Sequence, residues 1–65
     1  MAPDSDDARY RKLRHDLANP VAAILAETQL LLLNGEALDA DTVRALRDIE
    51  AQCRRMRDIL HQSME

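Results

Sequence analysis

Apolar residues recur at steps of three and four positions along the first half of the chain, which places them on one face of a helix. The set comprises Tyr10, Leu13, Leu17, Val21, Ile24, Leu25, Thr28 as a gap filler, Leu31 and Leu32. Residues 1–5 are polar and include a proline, so we expect a disordered lead-in there and a first helix over about residues 6–33. Asn34 and Gly35 then predict the helix end, with the glycine in a left-handed cap.

A second helix is predicted over about residues 39–63, after a turn at residues 34–38. Asp39 is a favourable N-cap, and Leu38 and Val43 have the spacing of a hydrophobic staple. The apolar positions of this helix are Val43, Leu46, Ile49, Cys53, Met56 and Leu60, flanked by Ile59 and Met64. Oppositely charged residues four positions apart on its outer surface are expected to stabilise the helix. The pairs are Arg44–Asp48, Glu50–Arg54 and Arg54–Asp58.

Two long helices joined by a short turn predict an all-α antiparallel hairpin. With 65 residues and one cysteine the chain can form no intrachain disulfide, and a core of this size supplies only about 3–5 kcal/mol. His15 and His61 have no companions at metal-ligand spacing. The helices reach roughly 40 and 36 Å, too long for one hairpin to bury both apolar faces. We therefore expect a homodimer in which two hairpins, formed by residues 6–65, make a four-helix bundle.

Charge and hydropathy exclude several classes of function. The net charge of −3 leaves no basic excess for nucleic acid. No run of 18 apolar residues occurs, so we expect no membrane contact by this segment. The lone cysteine and the lack of a signal peptide favour the cytoplasm, which leaves open a membrane anchor elsewhere in a longer parent protein.

Periodicity alone indicates no more than a structural dimerisation hairpin, since one fold serves many functions. A more specific feature is the segment LRHDLANPV at residues 13–21. It resembles the H-box of sensor histidine kinases, in which histidine is followed by an acidic residue, a hydrophobic residue, any residue, Thr or Asn, Pro and a hydrophobic residue. The resemblance covers roughly residues 8–64. It implies the dimerisation and phosphoacceptor domain of a two-component kinase.

The resemblance implies that His15 is phosphorylated from ATP and passes the phosphoryl group to an aspartate of a response regulator. At 100° per residue, His15 points away from the apolar face, and a neutral imidazole has a nitrogen lone pair that can attack phosphorus. Asp16 is able to accept the ring proton, and in the family this acid is the general base. Asn19, one turn later, is the family's position for orienting water in dephosphorylation of the regulator.

Two further features belong to the same helix. Pro20 removes the donor for the carbonyl of Asp16, which predicts a helix kink beside the histidine. The resemblance also implies that the face following His15 recognises the receiver domain of the response regulator. We assign this partner-binding role to Ala22, Ala23, Ala26, Glu27 and Leu30.

The remaining polar surface is less specific. Arg9, Arg11, Lys12 and Arg14 form a basic run beside His15. Such a run is either a solvated face or a surface that attracts phosphate or an acidic receiver pocket. The sequence places Cys53 in the core, where it packs as a small apolar residue.

The sequence contains no ATP-binding catalytic domain, and a single glycine excludes a phosphate-cradling loop. We therefore expect that this segment binds no cofactor and no metal, and that ATP and Mg²⁺ are bound by a separate catalytic domain. On this interpretation the segment is part of a protein-histidine kinase but is inactive with ATP alone. Two alternatives remain open, a stand-alone histidine phosphotransfer protein in a phosphorelay and a purely structural dimeric hairpin.

Overall fold

The computed structural model describes the backbone of residues 3–63 and the side chains of residues 7–62. Helix α1 spans Pro3–Leu32, a short 3-10 helix spans Gly35–Ala37, and helix α2 spans Ala40–Ser63. The described residues contain no strand. The two long helices pack against each other in antiparallel orientation and form a rod 56 Å long and 14 Å across, measured on Cα atoms. The predicted all-α hairpin is confirmed.

Helix α1 begins earlier than the sequence pattern predicted. Residues 3–5 are helical, where we expected a disordered lead-in, whereas residues 1 and 2 lie outside the described residues. Proline suits the first turn of a helix, because its φ angle is already helical and its missing N–H would have no acceptor within the helix. Pro3 therefore supports the helix start that it was expected to prevent.

The connection between the helices also differs from the prediction. The N–H of Leu33 donates to the carbonyl of Gln29 and that of Asn34 to the carbonyl of Leu31, both at 3.1 Å. Gly35 then begins the 3-10 helix, and no described residue has a positive φ. The expected left-handed glycine cap is therefore wrong. In its place, hydrogen bonds from an N–H to the carbonyl three residues earlier, such as Asn34 to Leu31, satisfy carbonyls at the helix end. Such 3-10 bonding is common at helix termini.

Asp39 caps helix α2, as the sequence predicted. The N–H of Thr42 donates to Oδ1 of Asp39 at 2.7 Å. Hydrogen bonds from the hydroxyl of Thr42, from its N–H and from the N–H of Asp41 lower the pKa of the Asp39 carboxyl below its ordinary value. Leu38, in extended backbone, and Val43 are both half-buried. The start of α2 is therefore defined by side-chain chemistry.

The buried core lies along the line where the helices meet. Val21, Leu25 and Cys53 are buried, and Leu60 packs against them. The core role predicted for the cysteine is thus confirmed. Thr28 is buried as well, and its hydroxyl donates to the carbonyl of Ile24 at 2.7 Å. A buried hydroxyl needs such a partner, so the gap in the apolar pattern is filled without an unsatisfied polar group.

Polar contacts on the helix surfaces follow the predicted pattern only in part. Nη2 of Arg54 lies 3.3 Å from Oε2 of Glu50, and the same oxygen accepts from Nε2 of Gln29 across the hairpin at 3.4 Å. Arg44 pairs with Asp41 at 3.8 Å. The predicted pairs Arg44–Asp48 and Arg54–Asp58 are not formed. Each arginine has acids on both sides, and exposed pairs differ little in free energy.

One hairpin leaves much of both predicted apolar faces in solvent. Eight large apolar side chains are between 42% and 61% exposed. They are Tyr10, Leu13, Leu17, Ile24 and Leu31 on α1 and Ile49, Met56 and Ile59 on α2. At 100° per residue the α1 members share about 60° of the helix surface, beside the line of buried residues. The hairpin thus has a second apolar face next to its own core.

Candidate functional site

The H-box lies in the first half of α1, and its polar residues are on the surface. His15, Asp16 and Asn19 are all exposed. His15 lies about three turns after the start of the helix. The predicted outward position of the histidine is confirmed, and its ring is accessible to another protein domain.

His15 borders a shallow depression on the outer surface of α1. Its lining consists of Ala8, Arg11, Lys12, His15 and Asp16. Helix side chains lean towards the N-terminus, so the imidazole leans over the turn that carries Arg11 and Lys12. Ala8, one turn further, has only a methyl group and leaves space above the backbone. The depression therefore brings together the histidine, two cations and one carboxylate.

Asp16 forms its ion pair with Lys12 and not with the imidazole. Its Oδ2 atom lies 3.0 Å from Nζ of Lys12, and among the described residues no hydrogen bond joins it to His15. Residues adjacent in sequence do not face each other on a helix, whereas residues four apart do. The Lys12–Asp16 pair is a consequence of that spacing, and the role of Asp16 as proton acceptor stays a prediction.

Asn19 and Pro20 follow His15 on the same uninterrupted helix. Asn19 lies four residues after the histidine and is exposed, so its amide is the next polar group along that face. Helix α1 continues through Pro20. Because proline has no N–H, the carbonyl of Asp16 lacks its usual donor. The kink expected at this point stays a prediction.

A groove between the two helices begins one turn beyond His15 and encloses about 170 Å³. Its α1 wall carries Ala18, Ala22 and Ala26, and its α2 wall carries Arg57, Leu60 and His61; Val21, Leu25 and Gln29 complete the lining. Two of the five predicted partner-binding residues thus lie in the groove. The other three, Ala23, Glu27 and Leu30, are exposed outside it.

Sequence reasoning assigned no role to Arg57 and His61, although both line this groove. The signal that would have found them is the antiparallel pairing, since the end of α2 must return beside the H-box. A cation and an imidazole next to three alanines give the groove a polar rim and a small-residue wall.

A second groove, on the other side of the hairpin, is wholly apolar. Leu17, Val21, Met56, Ile59 and Leu60 line it. Three of these residues belong to the exposed apolar face described above. Within the described residues no group of three or more His, Cys, Asp or Glu side chains is placed to hold a metal ion. No helix in that part of the chain is long and apolar enough to cross a membrane.

The chain matches the family model described as the His Kinase A (phospho-acceptor) domain over residues 11–65. It therefore belongs to that family and is the phosphoacceptor and dimerisation module of a histidine kinase, a component of two-component signalling. Domains of this family mediate dimerisation and work with a catalytic domain and a response regulator. Comparisons with curated proteins and with solved structures give no match.

Proposed function

We propose that His15 is the phosphoacceptor of this module. The observation that carries the assignment is an exposed histidine at the head of the H-box that borders an open depression. A bond forms between one imidazole nitrogen and the γ-phosphorus of ATP, and the bond from that phosphorus to ADP breaks. The proton on the other ring nitrogen passes to the carboxylate of Asp16.

Asp16 has to leave Lys12 before it can receive that proton. Both side chains of the pair are more than half exposed, at 78% and 56%, and exposed ion pairs contribute only about 0.2–1 kcal/mol. Breaking the ion pair so that the carboxylate can turn towards His15 therefore has a small free-energy cost. ATP and Mg²⁺ are supplied by a catalytic domain, and this segment holds neither by itself.

The phosphoryl group then passes from His15 to an aspartate of a response regulator. We assign the docking surface to the exposed side of α1 after the histidine, with Ala22 and Ala26 at the groove as its central residues. Small side chains let another backbone approach closely. Asn19, between this surface and His15, is positioned to orient a water molecule for dephosphorylation of the regulator.

A second copy of this chain covers the apolar groove on the other side of the hairpin. Leu17, Met56 and Ile59 on that side are each more than 40% exposed. The family mediates dimerisation, and two such faces packed together give a four-helix bundle. The receiver and the second copy would thus occupy different sides of one hairpin.

The test is phosphorylation by ATP, Mg²⁺ and the catalytic domain of a histidine kinase. Wild-type protein should gain one acid-labile, base-stable phosphoryl group per chain, and His15→Gln should gain none. His61→Gln is the matched control, because it removes the second histidine while retaining the H-box, and it should be labelled like wild type. Label retained in His15→Gln, or lost in the folded control, would refute the assignment.

A further inference from the structure

We propose that Arg11 and Lys12 form an anion subsite that holds the phosphoryl group on His15, and that Lys12 exchanges Asp16 for this group. The inference rests on the proposed role of His15 and adds two positioning residues to it. Both cations line the depression beside the histidine, together with Ala8 and Asp16.

The helix geometry places both cations where the phosphoryl group would be. Arg11 lies four residues before His15 and Lys12 three, so they flank it at about 40° and 60° around the helix axis. The imidazole leans towards this turn, and a group on its ring would lie above Ala8 with a cation on each side. The other two basic residues of the run do not share this position. Arg14 is half-buried, and Arg9 lies six residues before His15 and about 120° from it around the helix axis.

The two cations differ in their present partners. Arg11 forms no ion pair among the described residues, whereas Nζ of Lys12 is 3.0 Å from Asp16. A phosphoryl group carries about −1.5 to −2 charges and three acceptor oxygens, so it competes well with a single exposed carboxylate. A guanidinium can bind two of those oxygens at once. Lys12 is therefore expected to move to the phosphoryl group and Arg11 to clamp it.

This exchange has a consequence for proton transfer. While Lys12 holds Oδ2 of Asp16, that oxygen is engaged in the ion pair and makes no hydrogen bond to the ring. When the incoming phosphoryl group attracts Lys12, Asp16 is released at the moment when the proton on His15 must leave. The ion pair thus links arrival of the phosphoryl group to availability of the base.

The experiment uses phosphoramidate, a small donor that needs no catalytic domain. His15 gains the phosphoryl group, the P–N bond of the donor breaks, and ammonia leaves with the electron pair. The pH titration of the phosphohistidine ³¹P resonance is then measured for wild type, Arg11→Gln and Lys12→Gln. Arg9→Gln is the matched control, since it removes the same charge at a position six residues before His15 and on a different part of the helix surface.

Removal of either subsite cation should raise the pH midpoint of the ³¹P titration, because the dianionic phosphoryl group loses a stabilising charge. Shifts of up to about one pH unit are expected for one neighbouring charge, and they should shrink at high salt. Arg9→Gln should titrate like wild type. Lys12→Arg should restore the wild-type midpoint. Equal midpoints in the subsite variants and the control would overturn the proposal.

A second readout follows the exchange itself. Phosphorylation should change the ¹³C resonance of the Asp16 carboxyl in wild type but much less in Lys12→Gln, where the ion pair is already absent. Circular dichroism checks that each variant keeps its helicity. If folded wild-type protein accepts no phosphoryl group at His15 either from phosphoramidate or from ATP with a catalytic domain, the proposed function fails and this inference with it. If labelling is normal and the midpoints are equal, only the subsite is refuted.

Discussion

The nearest neighbours of a helical side chain are one turn away and not next in sequence, and this rule decides the local chemistry of the H-box. His15 has Arg11 and Asn19 one turn before and after it. Asp16, although adjacent in sequence, is rotated by about 100° and pairs with Lys12 at 3.0 Å. The proposed nucleophile and its proposed proton acceptor therefore form no hydrogen bond with each other in this structure. The proposed proton transfer therefore requires the Asp16 carboxylate to leave Lys12 and turn towards His15.

At this scale we predict that substitutions of Asp16 and Asn19 affect different reactions. Asp16→Asn should slow autophosphorylation by about 10²–10⁴-fold, because the proton acceptor is lost. Asn19→Ala should leave autophosphorylation nearly intact and weaken dephosphorylation of the regulator, because only that reaction uses an oriented water. Rates of labelling and of label loss from the receiver measure the two steps. The reverse pattern, with Asn19→Ala deficient in labelling only, would contradict the assigned roles.

At the scale of elements, the two helices and their caps follow from local chemistry. The capping hydrogen bond from Thr42 to Asp39 is 2.7 Å long. The sequence predicted this cap, because an aspartate before a helix accepts such a bond from the backbone. The conformation of Gly35 was not readable in the same way. Asn-Gly suits a left-handed cap and a 3-10 turn alike, and the choice depends on how α2 packs against α1.

The cap gives a pH-dependent stability with a defined sign. Because the folded-state pKa of Asp39 is lowered, its ionised form stabilises the fold fully above the unfolded value of about 3.9. This contribution is lost as the pH falls through the lower folded-state pKa. Asp39→Asn should therefore be less stable than wild type at neutral pH, and the difference should shrink in acid. Thermal melts at one protein concentration test this, and a difference that grows on acidification would exclude it.

Gly35 gives a second prediction for the turn. Its φ is not positive, and an added Cβ would meet only Cγ2 of Val43, at the ordinary contact distance of 3.9 Å. Gly35→Ala should therefore be tolerated and stabilise the fold by about 0.4–1 kcal/mol, because the unfolded chain loses freedom. Urea unfolding measures the change. A clear loss of stability would show that the turn needs the left-handed conformation that the sequence suggested.

At the scale of the whole molecule, the sequence predicted the hairpin and the outward position of the histidine. It also predicted that one hairpin cannot bury all of its apolar residues. It did not predict which apolar residues face the intrachain core. Val21 and Leu25 are buried, whereas Leu17 and Ile24, in the same periodic set, remain exposed. Periodicity identifies one broad apolar face. It does not show which of its residues pack against the other helix of the hairpin and which remain for another partner. The groove residues Arg57 and His61 were missed for a related reason, since the register between helices is a tertiary property.

That division leads to the prediction for assembly. Leu17 is 45% exposed and lines the apolar groove, so Leu17→Asp should cost the hairpin little and the dimer several kcal/mol through a buried, unpaired charge. Leu46→Asp should also destabilise the protein. Because Leu46 is half-buried within the hairpin, this variant distinguishes loss of the dimer from loss of the hairpin less clearly. Leu33→Asp is the matched control, because Leu33 is 83% exposed and lies outside this groove.

Folding and association are linked in such a dimer, so the thermal midpoint of wild type and of Leu33→Asp should rise with protein concentration. Leu17→Asp should show a lower midpoint and a monomeric mass by light scattering at concentrations where the control is dimeric. A monomeric wild type with a concentration-independent midpoint would refute the proposed dimer. Equal losses in Leu17→Asp and Leu33→Asp would instead show that the dimer contact is not confined to the apolar groove.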